Sequence, residues 1–253
     1  MKTVIGMEGI KKEINKIEEQ ADAYRIWGVK IPHIIANITP KNGQTYVAEY
    51  ITSILQTYKL RKFCGLDALR EYKLDGTLKN VKQVFEDISR SAVYTNEFEG
   101  VIAVDVSALS GFTNEYQVDF FADHIAKVGE NATVIIYYND KLGKCMEAIK
   151  DRICSVIGKC VEIHVEPYSV REFSEIVVEC LEERGIEIEQ VGEELRNLIC
   201  WAVNDRNIST AKEAAEVAEE LMFYVAHKEN IPKIDLGGAA DHFCAYKDKT
   251  LGE

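Results

Sequence analysis

Two hydrophobic periodicities alternate along the first two thirds of the chain. Short uninterrupted apolar runs, typical of strands buried on both faces of a sheet, predict strands at 34–38, 100–105, 132–138 and 160–165. A weaker strand candidate covers 62–66. Between the runs, apolar residues recur every three or four positions and predict amphipathic helices at 8–23, 45–58, 80–91, 114–127 and 144–157. Strands that alternate with helices predict a three-layer α/β fold with a mainly parallel sheet.

The pattern changes after Pro167. Helical periodicity covers 170–184, 191–203 and 210–227 with no strand pattern between these segments. The sequence therefore predicts an α/β domain over 1–167, an all-α domain over 168–230 and a C-terminal tail over 231–253 without a predicted element.

Composition and charge narrow the class of protein. The 253 residues are 47% hydrophobic, as expected of a globular protein with a large core. Thirty basic and 42 acidic residues give a net charge of −12, which disfavours nucleic-acid binding. No stretch approaches the roughly 18 uncharged apolar residues of a membrane span, and the N-terminus leads into charged residues. We therefore expect a cytoplasmic protein that does not cross a membrane.

Cysteine and histidine spacing does not indicate a metal site. The seven cysteines include no CxxC pair, and the five histidines do not cluster with them. Structural zinc requires closer ligand spacing, so we expect free thiols.

The segment that joins the first predicted strand to its helix reads ITPKNGQT. Its position is that of a phosphate-binding loop, which needs glycines for close backbone approach, a lysine for the β- and γ-phosphates, and a Ser/Thr hydroxyl for Mg²⁺. Gly43 and Thr45 satisfy this pattern, but Ile38 and Lys41 occupy glycine positions and Gln44 occupies the lysine position. The loop is thus predicted to bind phosphate weakly.

From about residue 4 to 228, the order of these parts resembles the AAA+ ATPases. VIGMEGIKKEI, at 4–14, resembles the family's N-terminal IGxxxxKxxI motif, whose first residues line the adenine site. WGVKIP, at 27–32, resembles the GxxxP sequence that leads into the P-loop strand. The resemblance implies a P-loop domain followed by a small helical lid, a site for ATP or ADP with Mg²⁺, and a homo- or hetero-oligomeric ring that acts on a protein partner or substrate polypeptide.

The resemblance also assigns binding residues. Those implied to bind the nucleotide are Ile5, Gly6, Pro40, Lys41, Asn42, Gly43, Gln44, Thr45 and Tyr46. Those implied to hold the metal are Thr45 and Asp105.

VIAVDV, at 101–106, resembles the family's second nucleotide-site motif, in which four apolar residues precede Asp and Glu. Asp105 retains the carboxylate that orients Mg²⁺, but Val106 replaces the Glu that polarises the attacking water. The less favoured alternative is that Asp105 is a strand-end carboxylate that caps the following turn.

Three further residues correspond to functional positions of the family. Asn139 matches the polar residue near the γ-phosphate, although Asn-Asp is also a common turn pair. Arg152 matches the arginine finger that reaches a neighbouring subunit, although an exposed helix arginine fits as well. Tyr72, in REYKLDG, matches the aromatic residue of the loop that contacts a threaded polypeptide, although an exposed loop tyrosine is the alternative.

The last lid helix lacks the family's arginine at its start. Its first residues, NIST at 207–210, instead predict a helix cap, with Glu213 completing a capping box.

These features lead to one functional hypothesis and two alternatives. The first is a weakly or non-hydrolysing nucleotide-binding or assembly module for protein partners. The second is a slow protein-remodelling ATPase with Asp105, Asn139 and Arg152 as its catalytic residues, the last acting in trans. The third is a nucleic-acid clamp or initiator-like module, which the acidic charge disfavours.

Overall fold

In the described residues, five parallel strands form the sheet of the larger part of the protein. The computed structural model describes residues 5–60, 68–75, 77–94, 100–107, 119–125, 132–139, 143–186, 192–228, 231–235 and 237–240. The chain divides into two compact units, one running from Met7 to Glu166 and the other combining the segment before Met7 with the chain from Pro167 onward.

The sheet has the strand order β2-β3-β4-β1-β5, and each neighbouring pair is parallel. The prediction of a mainly parallel α/β sheet is therefore confirmed. The strands are β1 His33–Asn37, β2 Leu69–Lys73, β3 Val101–Asp105, β4 Thr133–Tyr138 and β5 Cys160–His164.

Strand β2 was not predicted from the sequence. None of its residues, LREYK, is fully buried, because in the described residues β2 lies at the edge of the sheet and pairs with β3 alone. A short polar edge strand has no apolar run to identify it. The weak strand candidate at 62–66 lies outside the described residues.

The centre of the sheet is buried on both faces. Every residue of β1, β3 and β4 is buried, as continuous apolar runs in a parallel sheet predict. On one face, a core cluster joins strand residues to the flanking helices, with Val104 and Ile136 packed among Phe85, Phe121 and Ile153.

Six helices accompany the sheet in the described residues. They are α1 Glu8–Glu19, α2 Ala21–Trp27, α3 Gln44–Thr57, α4 Leu78–Tyr94, α5 with residues 119–125 described, and α6 Gly143–Ile157. The helix predicted over 8–23 is in fact two helices, because the chain leaves helical geometry at Gln20 (φ −98°, ψ 7°). The predicted helix over 114–127 is observed at 119–125, and its remaining residues lie outside the described set.

In its described residues, the second unit contains three helices, a two-stranded ribbon and a helical segment at 237–240. The helices are α7 Val170–Glu183, α8 Glu193–Asp205 and α9 Ala211–Met222. Capping boxes begin α7 and α9, and in α9 Thr210 and Glu213 form the box predicted from the sequence. Buried side chains from all three helices, among them Val177, Ile199 and Leu221, form a separate core cluster.

The last predicted helix ends earlier than expected. It was predicted to reach His227, but α9 ends at Met222 and the chain turns into β6 Val225–Lys228, which pairs antiparallel with β7 Ile231–Ile234. The ribbon depends on pairing between two segments, so local periodicity did not reveal it. Among the described residues, no helix combines the length and the apolar character required to cross a bilayer.

A polar network links α6 to the sheet. Lys150 of α6 is hydrogen-bonded to Glu162 of β5, and the Tyr138 hydroxyl of β4 donates to the same carboxylate at 3.0 Å. These bonds, led by the one from Lys150, hold the pKa of Glu162 below its usual value, and the bond to Glu162 raises the pKa of Lys150. The network therefore stabilises the fold while both groups are charged.

We expect Glu162→Gln to lower the free energy of unfolding at neutral pH by less than about 1 kcal/mol, because the ion pair is partly exposed and screened. The lowered pKa of Glu162 means that the contribution is present above the ordinary glutamate value of 4.5 and is lost as the pH falls through the folded value. The raised pKa of Lys150 means that the contribution persists below 10.5 and is lost as the pH rises further. Urea unfolding across this range should show the two proteins converging at acidic pH.

A matched control is Glu175→Gln, which removes an exposed pair with Arg171 within one helix turn of α7. It should have a smaller effect. A difference between wild type and Glu162→Gln that persists unchanged at acidic pH would contradict the assignment.

Candidate functional site

The loop after β1 continues the sheet for one residue and then turns tightly into α3. Ile38 is fully buried, and its N–H donates to the Tyr138 carbonyl at 2.8 Å. The Asn42 N–H then donates to the Thr39 carbonyl at 3.3 Å. Because α3 begins at Gln44, the segment has the predicted strand–loop–helix arrangement.

Two residues of the loop have left-handed backbone conformations. Gly43 has φ 85° and Lys41 has φ 70°. Glycine adopts this region readily, whereas a residue with a Cβ is disfavoured there by roughly 1–2 kcal/mol. The loop therefore retains at Lys41 a backbone geometry suited to glycine, while the exposed lysine side chain adds a positive charge.

The Gln44 side chain bridges this loop and the end of β3. Its Oε1 accepts the Lys41 N–H at 3.4 Å, and its Nε2 donates to Asp105 Oδ2 at 3.3 Å. Both distances are long for hydrogen bonds, so each contact is weak. The amide nevertheless joins a loop N–H to a carboxylate oxygen at the end of β3.

Tyr137 is hydrogen-bonded to the backbone of Gln44. Its hydroxyl donates to the Gln44 backbone carbonyl at 2.7 Å, and the side chain is only 2% exposed. Burial raises the pKa of Tyr137 well above its usual value, and the charges of Glu71 and Asp105 raise it further. Tyr137 therefore remains a neutral donor. Sequence reasoning missed it, although a tyrosine inside a buried strand requires a partner for its hydroxyl.

Asp105 caps the turn that follows β3. Its Oδ1 accepts the Ser107 N–H at 2.9 Å while Oδ2 contacts Gln44, and the residue is 9% exposed. Asp105 therefore caps the turn, as the alternative interpretation of the sequence predicted, but it uses only one carboxylate oxygen to do so. Val106 is fully buried in the core cluster, and its N–H donates to the Tyr137 carbonyl at 2.8 Å. Its aliphatic side chain cannot accept a proton from water.

Three adjacent strands bring the predicted residues to one edge of the sheet. The loop follows β1, Asp105 ends β3, and Asn139 follows β4, which pairs with both. Among the other predicted ligands, Asn42 is buried and Thr45 is exposed, whereas Pro40, Tyr46 and Asn139 are half-buried. Carboxyl ends of parallel strands are the usual binding edge of α/β folds.

Arg152 has partners within its own chain. It lies on α6, where Nε donates to Asp119 Oδ1 at 2.6 Å and Nη2 lies 3.8 Å from Asp123 Oδ1, both on α5. The guanidinium is thus held on the helix surface by two carboxylates. Any role in a neighbouring subunit requires these ion pairs to be released.

Tyr72 is not in a loop, and that expectation was wrong. It is the fourth residue of β2, opposite Val104 of β3, and its side chain packs partly against the core cluster. Backbone pairing with β3 overrides the polar sequence around it. The proposed contact with a threaded polypeptide depended on a loop at this position.

Ile5 and Gly6 belong to the second compact unit rather than to the unit of the phosphate-type loop. Gly6 has φ 63°, and a Cβ placed there would lie 2.8 Å from Glu172 Oε1 and 2.8 Å from the Tyr168 ring. Glycine is therefore required at this position for conformation and for space, next to the capping box that begins α7.

The predicted metal ligands, Thr45 and Asp105, offer a hydroxyl and a carboxylate. In the part of the chain that the structure describes, no group of three or more His, Cys, Asp or Glu side chains is placed to hold a metal ion. A hydroxyl with a carboxylate is compatible with the sparse protein ligation of Mg²⁺, which keeps water and phosphate oxygens in its coordination shell.

Comparison with known proteins identifies the fold through structure alone. No protein-family model matches the sequence, and no curated protein matches it. The Holliday junction branch migration motor RuvB of Thermotoga maritima superposes with a TM-score of 0.59 at 15% identity, covering 96% of this chain and 70% of RuvB. Domain III of the Thermotoga maritima replication initiation protein DnaA gives 0.59 at 15% identity, covering 96% of this chain and 94% of that domain. PCH-2 of C. elegans gives 0.60 at 11% identity, with coverages of 96% and 70%. All three are AAA+ P-loop ATPases, so this chain has the AAA+ P-loop fold.

We expect Gly6→Ala to destabilise the second unit more than Gly185→Ala does. Both glycines have positive φ, at 63° and 91°, but a Cβ at Gly185 meets no atom within 4 Å. The control should lose roughly 1–2 kcal/mol from backbone strain alone. Denaturant unfolding followed by tryptophan fluorescence reports this unit, because Trp201 packs against its core whereas Trp27 is 80% exposed. Equal losses in the two variants would contradict a tight fit around Gly6.

Proposed function

We propose that this protein is an AAA+-fold module that binds adenine nucleotide weakly, hydrolyses it inefficiently or not at all, and assembles with protein partners. The Gln44 bridge carries the proposal. Its amide accepts the Lys41 N–H and donates to Asp105, so the centre of the loop is occupied by a neutral group of the protein itself.

Nucleotide binding would have to displace this bridge. The contacts are 3.3 and 3.4 Å long, and breaking them costs little. The larger loss is electrostatic, because an amide provides no positive charge to the β- and γ-phosphates. The exposed Lys41 restores part of that charge from a neighbouring position. These terms support weak binding of ATP or ADP with Mg²⁺ rather than its complete loss.

Hydrolysis requires a group that positions and deprotonates water. Val106 stands directly after Asp105 and is fully buried, so it cannot perform this role. General-base assistance typically contributes about 10²- to 10⁴-fold to rate. In the proposed function, a protein partner therefore recognises the conformation of the module, with or without bound nucleotide, and rapid hydrolysis is not needed.

A slow remodelling ATPase is the second candidate. Asp105 still presents a carboxylate, Thr45 is exposed at the first turn of α3, and Asn139 lies at the same sheet edge. In this candidate Arg152 acts from a neighbouring subunit. RuvB is a branch migration motor and DnaA a replication initiation protein, but the net charge of −12 on this chain argues against nucleic acid as its partner.

Gln44→Lys tests the central claim. The new ammonium group should form a charge-assisted bond to phosphate, worth roughly 1.5–3 kcal/mol, and should tighten ATP·Mg²⁺ binding about 10- to 100-fold. Calorimetric titration measures the affinity, and a phosphate-release assay measures turnover. Both proteins should release little phosphate, because Val106 is unchanged.

The control is Gln56→Lys, which adds the same charge at an exposed position about 18 Å further along α3. It should leave affinity unchanged. Phosphate release by the wild type that is abolished in Asp105→Ala would favour the slow ATPase. Failure of both wild type and Gln44→Lys to bind millimolar nucleotide would contradict a nucleotide site.

Oligomer formation is a separate prediction. We expect light scattering to detect assemblies larger than a monomer, with a nucleotide-dependent proportion. Arg152→Ala should reduce this dependence if Arg152 acts in trans, whereas Arg171→Ala, which removes an exposed arginine paired within α7, should not. A monomer at high protein concentration, with and without nucleotide, would rule out this assembly.

A further inference from the structure

Two cysteines meet where α6 connects to β5. Cys154 lies in the last turn of α6 and Cys160 is the first residue of β5, with five residues between them. The connection reverses at Gly158, which has φ 96° and donates its N–H to the Cys154 carbonyl at 3.2 Å. This turn brings the chain back toward the end of the helix it has just left.

Both thiols face the same environment. Each is half-buried and packs against the apolar core cluster beneath α6. The Cys160 thiol donates to the Gly158 carbonyl at 3.4 Å, and the Gly158 N–H donates to the Cys154 carbonyl, so both cysteines contact the same turn. Two free thiols on one turn, packed against the same core cluster and joined by a short connection, form a pair of nucleophiles that the candidate nucleotide site does not use.

We infer that Cys154 and Cys160 form a redox-active dithiol, which a low-molecular-weight disulfide such as oxidised glutathione converts to an intramolecular disulfide. This site is independent of the proposed nucleotide function. It requires no metal or cofactor, only a small disulfide able to reach a half-buried thiol.

The reaction balances through two exchanges. The Cys154 thiolate attacks one sulfur of the small disulfide, a mixed disulfide forms, and one small thiolate leaves. Cys160 then loses its proton to solvent and attacks the Cys154 sulfur, forming the protein disulfide and releasing the second small thiolate. Two protein thiols are oxidised while one small disulfide is reduced to two thiols.

The environment determines the order of the two steps. Burial raises the pKa of Cys160 to about 12, and the hydrogen bond and charge of Cys154 contribute to this rise. Cys160 is therefore a protonated thiol at neutral pH and is a poor first nucleophile. Once Cys154 is in a mixed disulfide, its contribution to the raised pKa is removed, while burial still raises the pKa of Cys160. Cys160 is then the resolving thiol because it is the neighbouring one, and we expect this second step to be the slower.

Tryptic mapping of the full chain tests the inference directly. Trypsin cleaves after Arg152, Lys159 and Arg171, so the two cysteines fall on separate peptides, 153–159 and 160–171. Native protein incubated with oxidised glutathione should yield these peptides covalently joined. The joined pair should weigh about 2 Da less than the two free peptides together, and a reducing agent should separate them.

Single substitutions separate the two roles. Cys160→Ser should stop at the mixed disulfide on Cys154, because no resolving thiol remains. Cys154→Ser should leave Cys160 largely unmodified at neutral pH. Cys180 and Cys200, on α7 and α8 of the other unit, provide internal references for simple glutathione addition without cross-linking.

Two outcomes would overturn the inference. One is a stable glutathione adduct on Cys154 of the native wild-type protein with Cys160 still free. The other is that neither thiol reacts in the folded protein under conditions that modify the exposed Cys200. Both can be read from the wild type, so the test does not depend on a variant that folds.

Discussion

The parallel pairing of β1 with two neighbours is the constraint on which the candidate site depends. β1 is hydrogen-bonded to β4 on one side and to β5 on the other, and all five of its residues are buried. The chain that leaves β1 must therefore emerge at the carboxyl edge of the sheet, between the ends of its neighbours. Ile38 extends the pairing by one bond, and the loop can begin only after it.

A series of polar contacts next to this loop connects β4, the start of α3 and the end of β3. The Tyr137 hydroxyl supports the Gln44 carbonyl, the Gln44 side chain contacts Asp105, and Asp105 caps the turn after β3. The groups are neutral except for Asp105 itself. These contacts partly satisfy the donors and acceptors of the loop within the protein itself.

The residues that stabilise the fold are thus different from the residues that determine the chemistry of the candidate site. The buried strands, the core around Phe85 and Ile136, and the capped helices of the second unit stabilise the structure without a contribution from phosphate chemistry. Gln44 and Val106 provide neither a positive charge nor a proton acceptor at the sheet edge. The fold therefore does not depend on the groups at this sheet edge, whereas the function we propose does.

The sequence by itself determined the parallel α/β character, the buried strands β1, β3 and β4, the position of β5, and most of the helices. The resemblance to a known family added the expectation that residues 38–46, Asp105 and Asn139 lie together. These features follow from local periodicity and from the rule that parallel strands end together. Tertiary structure alone decided the edge strand that contains Tyr72, the ribbon after α9, the ion pairs of Arg152 with α5, and the contacts of Gln44 with Lys41 and Asp105. Each of these features depends either on pairing between segments that are distant in sequence or on the side-chain conformation adopted in the packed fold. Hydrophobic periodicity is a local property and predicts neither.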